Sequence, residues 1–274
     1  MSYPPPYFLF DVGATKSRFA ASHDGVHFDE PEVVITPKTF PEGIELIVTM
    51  ARKLAGEHIG AVAGGIPGPL NSEKTRVINA PNLPDWNEKP LKDMIAQRLS
   101  APVLLENDTA LVGLGEAVAG SGVDYGIVAY LTISTGVNGV RIVDKKIDKS
   151  AMGFEIGHMI LDVNHANYPG DFESMVSGDA LHKRYSISPK DISDSRIWEE
   201  ETRLVAAGIH NIICFWSPEV VIVGGAVSQK LQSELISKYL GTTLTIYKHI
   251  PQVKMSSLTS FGGIHGALHF IKSA

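Results

Sequence analysis

The stretch Leu104-Leu105-Glu106-Asn107-Asp108-Thr109 puts two acids and an amide where an apolar run gives way to a helical pattern. A carboxylate at such a junction can cap the helix, or it can take a proton from an attacking hydroxyl. On the second reading Asp108 is the base and Asn107 holds a neighbouring hydroxyl. Gly153-Phe154-Glu155-Ile156-Gly157-His158 is a second polar cluster. Glu155 and His158 stand three residues apart and share one side of a helix or turn. Donors and acceptors grouped in this way suit a polyol; a satisfied core histidine is the other reading of His158. Phe172-Glu173-Ser174 opens a later helical pattern, where Glu173 is either a first-turn charge favoured by the helix dipole or a third polyol ligand. A metal pair of His158 and His165 is disfavoured, because the chain has one cysteine and only scattered aspartates to complete it.

Three glycine-bearing turns could hold a nucleotide. Asp11-Val12-Gly13-Ala14-Thr15-Lys16 joins two extended segments. Gly13 lets the backbone approach a phosphate closely. Thr15 and Lys16 offer a hydroxyl and a cation, and Asp11 offers a carboxylate to Mg²⁺ or its water shell. Ser134-Thr135-Gly136-Val137-Asn138-Gly139 lies at the matching place in the second half and could present backbone N–H groups to phosphate. A plain hairpin explains either turn equally well, and neither is the strand–GxxxxGK[ST]–helix pattern of a Walker-type site. Val221-Ile222-Val223-Gly224-Gly225-Ala226 is a strand ending in paired glycines. It suits a flat ligand such as adenine across the backbone at a strand's carboxyl end, or simply close helix–strand packing.

The elements that must position these residues follow from apolar spacing. Strands are predicted at residues 7–10, 18–21, 33–36, 59–66, 102–105, 126–133, 140–143 and 220–223. Helices are predicted at 41–54, 91–99, 172–185, 198–216, 228–240 and 263–271, with a further helix starting near Asp108. Strands alternating with helices favour an α/β fold with a partly parallel sheet. Each half opens with strand, polar-glycine turn and strand, which suggests a duplicated nucleotide-binding unit with a cleft between its lobes. The 274 residues, 44% hydrophobic and 20% charged, suffice for two such lobes.

Charge and composition narrow the classes. Twenty-four Lys and Arg against 30 Asp and Glu give a net charge of -6, unlike the basic footprint of a nucleic-acid binder. No run of about 18 apolar residues could span a membrane. The start Met1-Ser2-Tyr3-Pro4-Pro5-Pro6 lacks the basic and apolar regions of a signal peptide, so a cytoplasmic location is expected. Cys214, the single cysteine, excludes an internal disulfide framework and a cysteine-cage zinc site.

Taken in order, the motifs resemble the ROK family of sugar kinases and repressors, within the actin-like ATPase superfamily. Asp11-Val12-Gly13-Ala14-Thr15-Lys16 resembles the family's first phosphate motif, D-x-G-x-T-K. Gly64-Gly65-Ile66-Pro67-Gly68-Pro69 looks like its G-x-P-G loop, and Asn82-Leu83-Pro84-Asp85-Trp86 is close to its N-L-x-x-W segment. Glu106-Asn107-Asp108 resembles the stretch that supplies the catalytic aspartate, and Glu155-Ile156-Gly157-His158 matches E-x-G-H. Phe172-Glu173 followed by Ser177-Gly178 looks like the later L-E segment, and Val223-Gly224-Gly225-Ala226-Val227-Ser228 resembles the adenosine motif. Two departures stand out. The family's C-x-C-G-x-x-G-C zinc segment is replaced by residues 159–171 without a cysteine, so zinc is expected to be absent. The second phosphate motif, G-T-G-x-G-x-G, reads Ser134-Thr135-Gly136-Val137-Asn138-Gly139-Val140. There Asn138 tolerates a left-handed backbone better than most residues, whereas Val140 does not and is expected to belong already to the next strand.

The resemblance implies duplicated actin-like (ribonuclease H-like) lobes around a central cleft, with residues 1–114 plus 262–274 in the small lobe and 115–261 in the large one. It implies transfer of the γ-phosphoryl group of Mg-ATP to a hexose hydroxyl, with Asp108 as general base. Gly65, Asn82, Asn107, Glu155, His158 and Glu173 would hold the sugar. Gly13, Thr15, Lys16, Thr135 and Gly136 would cradle phosphates, Asp11 would lie near Mg²⁺, and Gly224 and Gly225 would back the adenosine. Lobe closure would keep water from competing as acceptor. The family's usual acceptor implies the 6-hydroxyl, and Asn82 to Trp86 leans towards glucose; N-acetylglucosamine, N-acetylmannosamine, mannose and fructose follow, and polyphosphate is a less favoured donor. A catalytically silent sugar-binding member is the alternative of another class. A repressor is not expected, since six residues before the first strand leave no room for a winged helix. Relatives imply a homodimer, with no nucleic acid and no membrane among the partners.

Overall fold

The apolar run at residues 7–10 becomes β1 (Tyr7–Val12), buried at every position. Burial on both faces is what a strand shows when helices cover the sheet from above and below. The chain is a computed structural model that describes residues 3–164 and 170–274; His165 lies outside the described residues. Two units divide it: Met1–Ala119 with Lys149–Gly153 and Ser260–Ala274, and Gly120–Asp148 with Phe154–Thr259.

Unit 1 continues through β2 (Lys16–Ser22), β3 (Glu32–Ile35), α1 (Phe40–Ala55), β4 (Ala61–Ile66), α2 (Leu91–Leu99), β5 (Val103–Asn107) and α3 (Asp108–Ala119). Its sheet runs β3-β2-β1-β4-β5. β1 to β3 pair antiparallel, and β1, β4 and β5 are parallel. Phe8, Phe10, Phe19, Val62 and Leu105 form one core with the buried faces of α1 and α2. In α1 that face is Ile44, Ile47, Val48 and Ala51, the i, i+3, i+4, i+7 stripe of an amphipathic helix. The α1 N-terminus takes its cap from afar: the Phe40 N–H donates to Asp85 Oδ2 at 2.7 Å.

Unit 2 contains β6 (Ile127–Ile133), β7 (Val137–Val143), β8 (Lys146–Ile147), α4 (Phe172–Val176), α5 (Gly178–Tyr185), α6 (Ser195–Trp216), β9 (Val220–Gly224), α7 (Ser233–Thr243) and β10 (Gln252–Met255). The sheet order β10-β9-β6-β7-β8 is the same pattern read from the other edge. Again the first three strands are antiparallel and the last two join in parallel. The final helix, α8 (Gly262–Ser273), belongs to unit 1 and packs with α3 on the second face of that sheet.

Three expectations change. β7 begins at Val137, opposite Ile133, so the second glycine turn is only Ser134 to Gly136. Asn138 is therefore an ordinary strand residue and is not left-handed. The helix expected over 172–185 breaks at Ser177, whose Oγ caps α5 at the Ala180 N–H while the Gly178 N–H bonds Ser134 O at 2.7 Å. The helix expected over 228–240 starts at Ser233, after a 3-10 turn, Val227–Lys230, and an extended Leu231. β10 escapes periodicity because only Val253 in Gln252-Val253-Lys254-Met255 is buried. Among the described residues no helix is long and apolar enough to cross a membrane.

Candidate active site

In unit 1 the candidate residues gather at the carboxyl ends of β1, β4 and β5. Asp108 is the first residue of α3, and its Oδ1 accepts the Thr109 N–H at 2.7 Å. Asp108 keeps some exposed surface, yet protein atoms crowd it enough that burial pushes its carboxyl up to about 6, with the Thr109 hydrogen bonds opposing. Asp11, near the end of β1, is buried and raised further, to about 7. Burial is the main cause, the Asp108 charge adds to it, and Arg18 opposes it. The two carboxyls are both pushed up by burial, and a charge on Asp108 makes a second charge on Asp11 harder to hold.

Gly65 separates the two acids. A Cβ there would stand 3.1 Å from the Asp108 Cα and 3.3 Å from Asp11 Oδ1, so a side chain would fill the space between them. The first turn of α8 closes on Asp11 from the other side, with a Cβ on Gly263 falling 2.7 Å from the carboxyl carbon. Asn107 is already engaged: Oδ1 accepts the Ala110 N–H at 3.2 Å, and Nδ2 donates to the Gly68 carbonyl at 3.1 Å. It thus caps α3, the task the local pattern offered Asp108. Asn82 is exposed, and its carbonyl accepts from Lys38 Nζ at 3.4 Å. In the same segment Trp86 is buried against Phe40 and Asp85 caps α1, so much of that motif has packing work.

The first phosphate turn is held from below. Thr36 Oγ1 donates to the Gly13 carbonyl at 2.7 Å and lies 2.9 Å from Ser17 Oγ, while Gly13 N–H donates to Lys16 O. Thr15 and Lys16 are exposed at its tip. Arg18, absent from the sequence reading, pairs with Asp11 in the hairpin register and brings Nη1 to 3.8 Å from Oδ2. Counting across the turn from Gly13 would have found it.

In unit 2 Glu173 sits in the first turn of α4, which Asp171 caps through the Ser174 N–H. Its Oε2 accepts the Val137 N–H at 2.7 Å. A Cβ on Gly136 would lie 2.6 Å from that oxygen. The turn Ile156–His158 packs on the same point, since a Cβ on Gly157 would be 2.2 Å from the Val137 carbonyl. Glu155 and His158 are exposed on this turn. Gly225 has φ +93°, and a Cβ there would strike the Ile133 carbonyl at 2.3 Å. Gly224 and Gly225 thus adjoin the strand end that leads into the exposed Thr135 and the half-buried Gly136. Unit 2 brings its sugar-side, phosphate-side and adenosine-side candidates together around the start of β7.

These residues fit a magnesium nucleotide in kind. In unit 1 the buried carboxylate of Asp11 favours a cation beside it, and the exposed Thr15 and Lys16 offer a hydroxyl and an ammonium to phosphate oxygens; in unit 2 the exposed Thr135 offers a hydroxyl. Among the described residues no three His, Cys, Asp or Glu converge to hold a metal ion.

Two sheets of one strand order, each built as an antiparallel hairpin extended by parallel strands, define an actin-like α/β protein. Residues 7–274 match the ROK family, and the chain belongs to it. It is 28% identical over 259 residues to a glucokinase of Thermotoga maritima, covering 79% of this chain and 80% of that one. It is 27% identical over 297 residues to an N-acetyl-D-glucosamine kinase of Histophilus somni, covering 95% and 97%. A crystal structure of a ROK family glucokinase from Streptomyces griseus in complex with glucose and AMPPNP superimposes with a TM-score of 0.82 at 25% identity, covering 98% of this chain and 100% of that one.

Proposed function

We propose that this protein is an ATP-dependent sugar kinase that phosphorylates a hexose, with the 6-hydroxyl of glucose as the first acceptor to test. The observation that carries the reading is Asp108: a carboxylate at a strand end, raised to about 6 by burial and still ionised at neutral pH, is matched to taking a hydroxyl proton. Thr109 holds Oδ1, which leaves Oδ2 as the atom that accepts the proton. The deprotonating sugar oxygen attacks the γ-phosphorus, and the bond from that phosphorus to the bridging oxygen of ADP breaks.

Positioning supplies most of such catalysis. Asn107 Nδ2 has a second hydrogen beyond the one given to Gly68 and offers it to a sugar hydroxyl. Glu173 keeps Oε1 for the sugar while Oε2 holds Val137. Gly65, Asn82, Glu155 and His158 complete the acceptor side. Gly13, Thr15, Lys16, Thr135 and Gly136 would hold the phosphates, and Gly224 and Gly225 the adenosine. Asp11 would bind Mg²⁺ through water, and that ion would neutralise charge on the phosphate oxygens. The kinase relatives and the glucose–AMPPNP complex support the substrate classes.

A coupled ADP-release assay with glucose, N-acetylglucosamine, N-acetylmannosamine, mannose and fructose tests the reading. Asp108→Asn is expected to abolish turnover and leave sugar affinity close to the parent value. Turnover retained in that variant would remove Asp108 from its role. Sugar binding without any turnover in the parent protein would make the chain a silent member.

A further inference from the structure

The end of β5, just before Asp108, is tied twice to the segment 68–78. Asn107 Nδ2 makes the bond to Gly68. One residue earlier, Glu106 Oε2 meets the ammonium of Lys74, and Oε1 accepts the Asn107 N–H at 3.0 Å. The two partners are unequally enclosed: the Glu106 side chain is 8% exposed and that of Lys74 is 46% exposed. Glu106 therefore depends on Lys74 for its counter-charge inside the protein.

Lys74 reaches Glu106 from an unfavourable backbone. Its φ is +51°, a left-handed conformation that glycine adopts freely and a side chain resists. The turn around it is built by other residues. Asn71 Oδ1 accepts the N–H groups of Thr75 at 2.8 Å and Arg76 at 3.1 Å, and the Lys74 N–H donates to Asn71 O at 2.9 Å. Ile78 N–H closes the hairpin on Pro69 O at 2.8 Å. Glycine would serve this turn better than lysine, so the turn does not explain the side chain; the contact with Glu106 does.

We propose that Lys74 is a positioning residue for the acceptor sugar: by holding Glu106 it pins the 68–78 hairpin to the end of β5, so that the Asn107 amide and Asp108 meet the sugar in one arrangement. The proposal rests on the kinase reading above. Without the ammonium, Glu106 is a buried carboxylate lacking a partner charge, which is costly. The hairpin then opens to admit water and draws the Gly68 carbonyl away from Asn107.

Lys74→Gly relieves the backbone and removes the tie; Lys74→Arg keeps the charge at the same backbone. Lys74→Gly is expected to raise the KM for the hexose about tenfold with kcat within about twofold and the KM for ATP unchanged, and Lys74→Arg to stay within about twofold of the parent. An unchanged sugar KM in Lys74→Gly, or equal impairment in Lys74→Arg, overturns the proposal. Amide hydrogen exchange across residues 74–78 reads the tie without any substrate. It should be about tenfold faster in Lys74→Gly than in the parent or Lys74→Arg. Equal exchange overturns the tie whatever the activity. A parent protein that turns over no hexose sinks the kinase reading, and with it the acceptor role, by a separate measurement.

Discussion

Glu173 accepts the Val137 backbone N–H at 2.7 Å, so one carboxylate both anchors the first residue of β7 and stands among the proposed sugar ligands. The two tasks separate by substitution. Glu173→Gln retains a carbonyl oxygen for Val137 and loses the charge. It is expected to keep a thermal midpoint within about 2 °C of the parent and to raise the sugar KM by about tenfold. Glu173→Ala loses both tasks and is expected to be destabilised by about 1–3 kcal/mol, the cost of an abandoned buried N–H. Parallel melting curves and steady-state kinetics make the comparison. A parent-like sugar KM in the glutamine variant would leave Glu173 only its backbone bond.

Asp108 must be ionised to accept a proton. With its carboxyl raised to about 6, kcat/KM for the sugar is expected to fall as pH drops below that value and to level off above it. One protonation gives a limb of about tenfold per pH unit. A profile from pH 5 to pH 9 at saturating magnesium checks this; a profile flat down to pH 5 would show that Asp108 is not the titrating base.

Glu201 lies 1% exposed on α6, has no hydrogen bond to either carboxylate oxygen, and stands 3.9 Å from the Arg184 guanidinium. Burial raises its carboxyl from 4.5 to about 8 against the pull of Arg184. The folded protein therefore holds a proton that the unfolded chain releases above 4.5. Stability is expected to decline as pH rises from about 4.5 towards about 8, by an amount on the order of a few kcal/mol. Glu201→Gln should flatten that decline and raise the melting midpoint at pH 8, with little change at pH 5. Equal pH slopes for the two proteins would show that Glu201 does not hold that proton.

Apolar spacing carried most of the fold. The limits of α2 matched residue for residue, and β1, α1 and β6 followed from runs that bury a whole strand, a helix stripe and most of a strand. What escaped was set by partners distant in sequence. Val137 enters a strand because Ile133 pairs with it and Glu173 holds its N–H, neither of which the turn Ser134 to Gly136 reveals. Asp85 was legible only as part of a motif, although it caps a helix 45 positions away. Lys74 carried no signal, because its partner lies 32 residues on and its backbone is one a sequence reader would assign to glycine. Chemistry-bearing residues stood out in the sequence; the bonds that orient them did not.

The helix that seals Asp11 is made after all of unit 2. α8 packs on β1, β4 and α3, yet residues 120–148 and 154–259 come between it and them. A ribosome thus emits all of unit 2 before the surface carrying Leu9, Ala63 and Asp11 is roofed. The portion synthesised first is finished after the portion synthesised second. A nascent chain halted anywhere in between displays an uncovered sheet face, the kind of surface that chaperones bind and that neighbouring nascent chains adhere to.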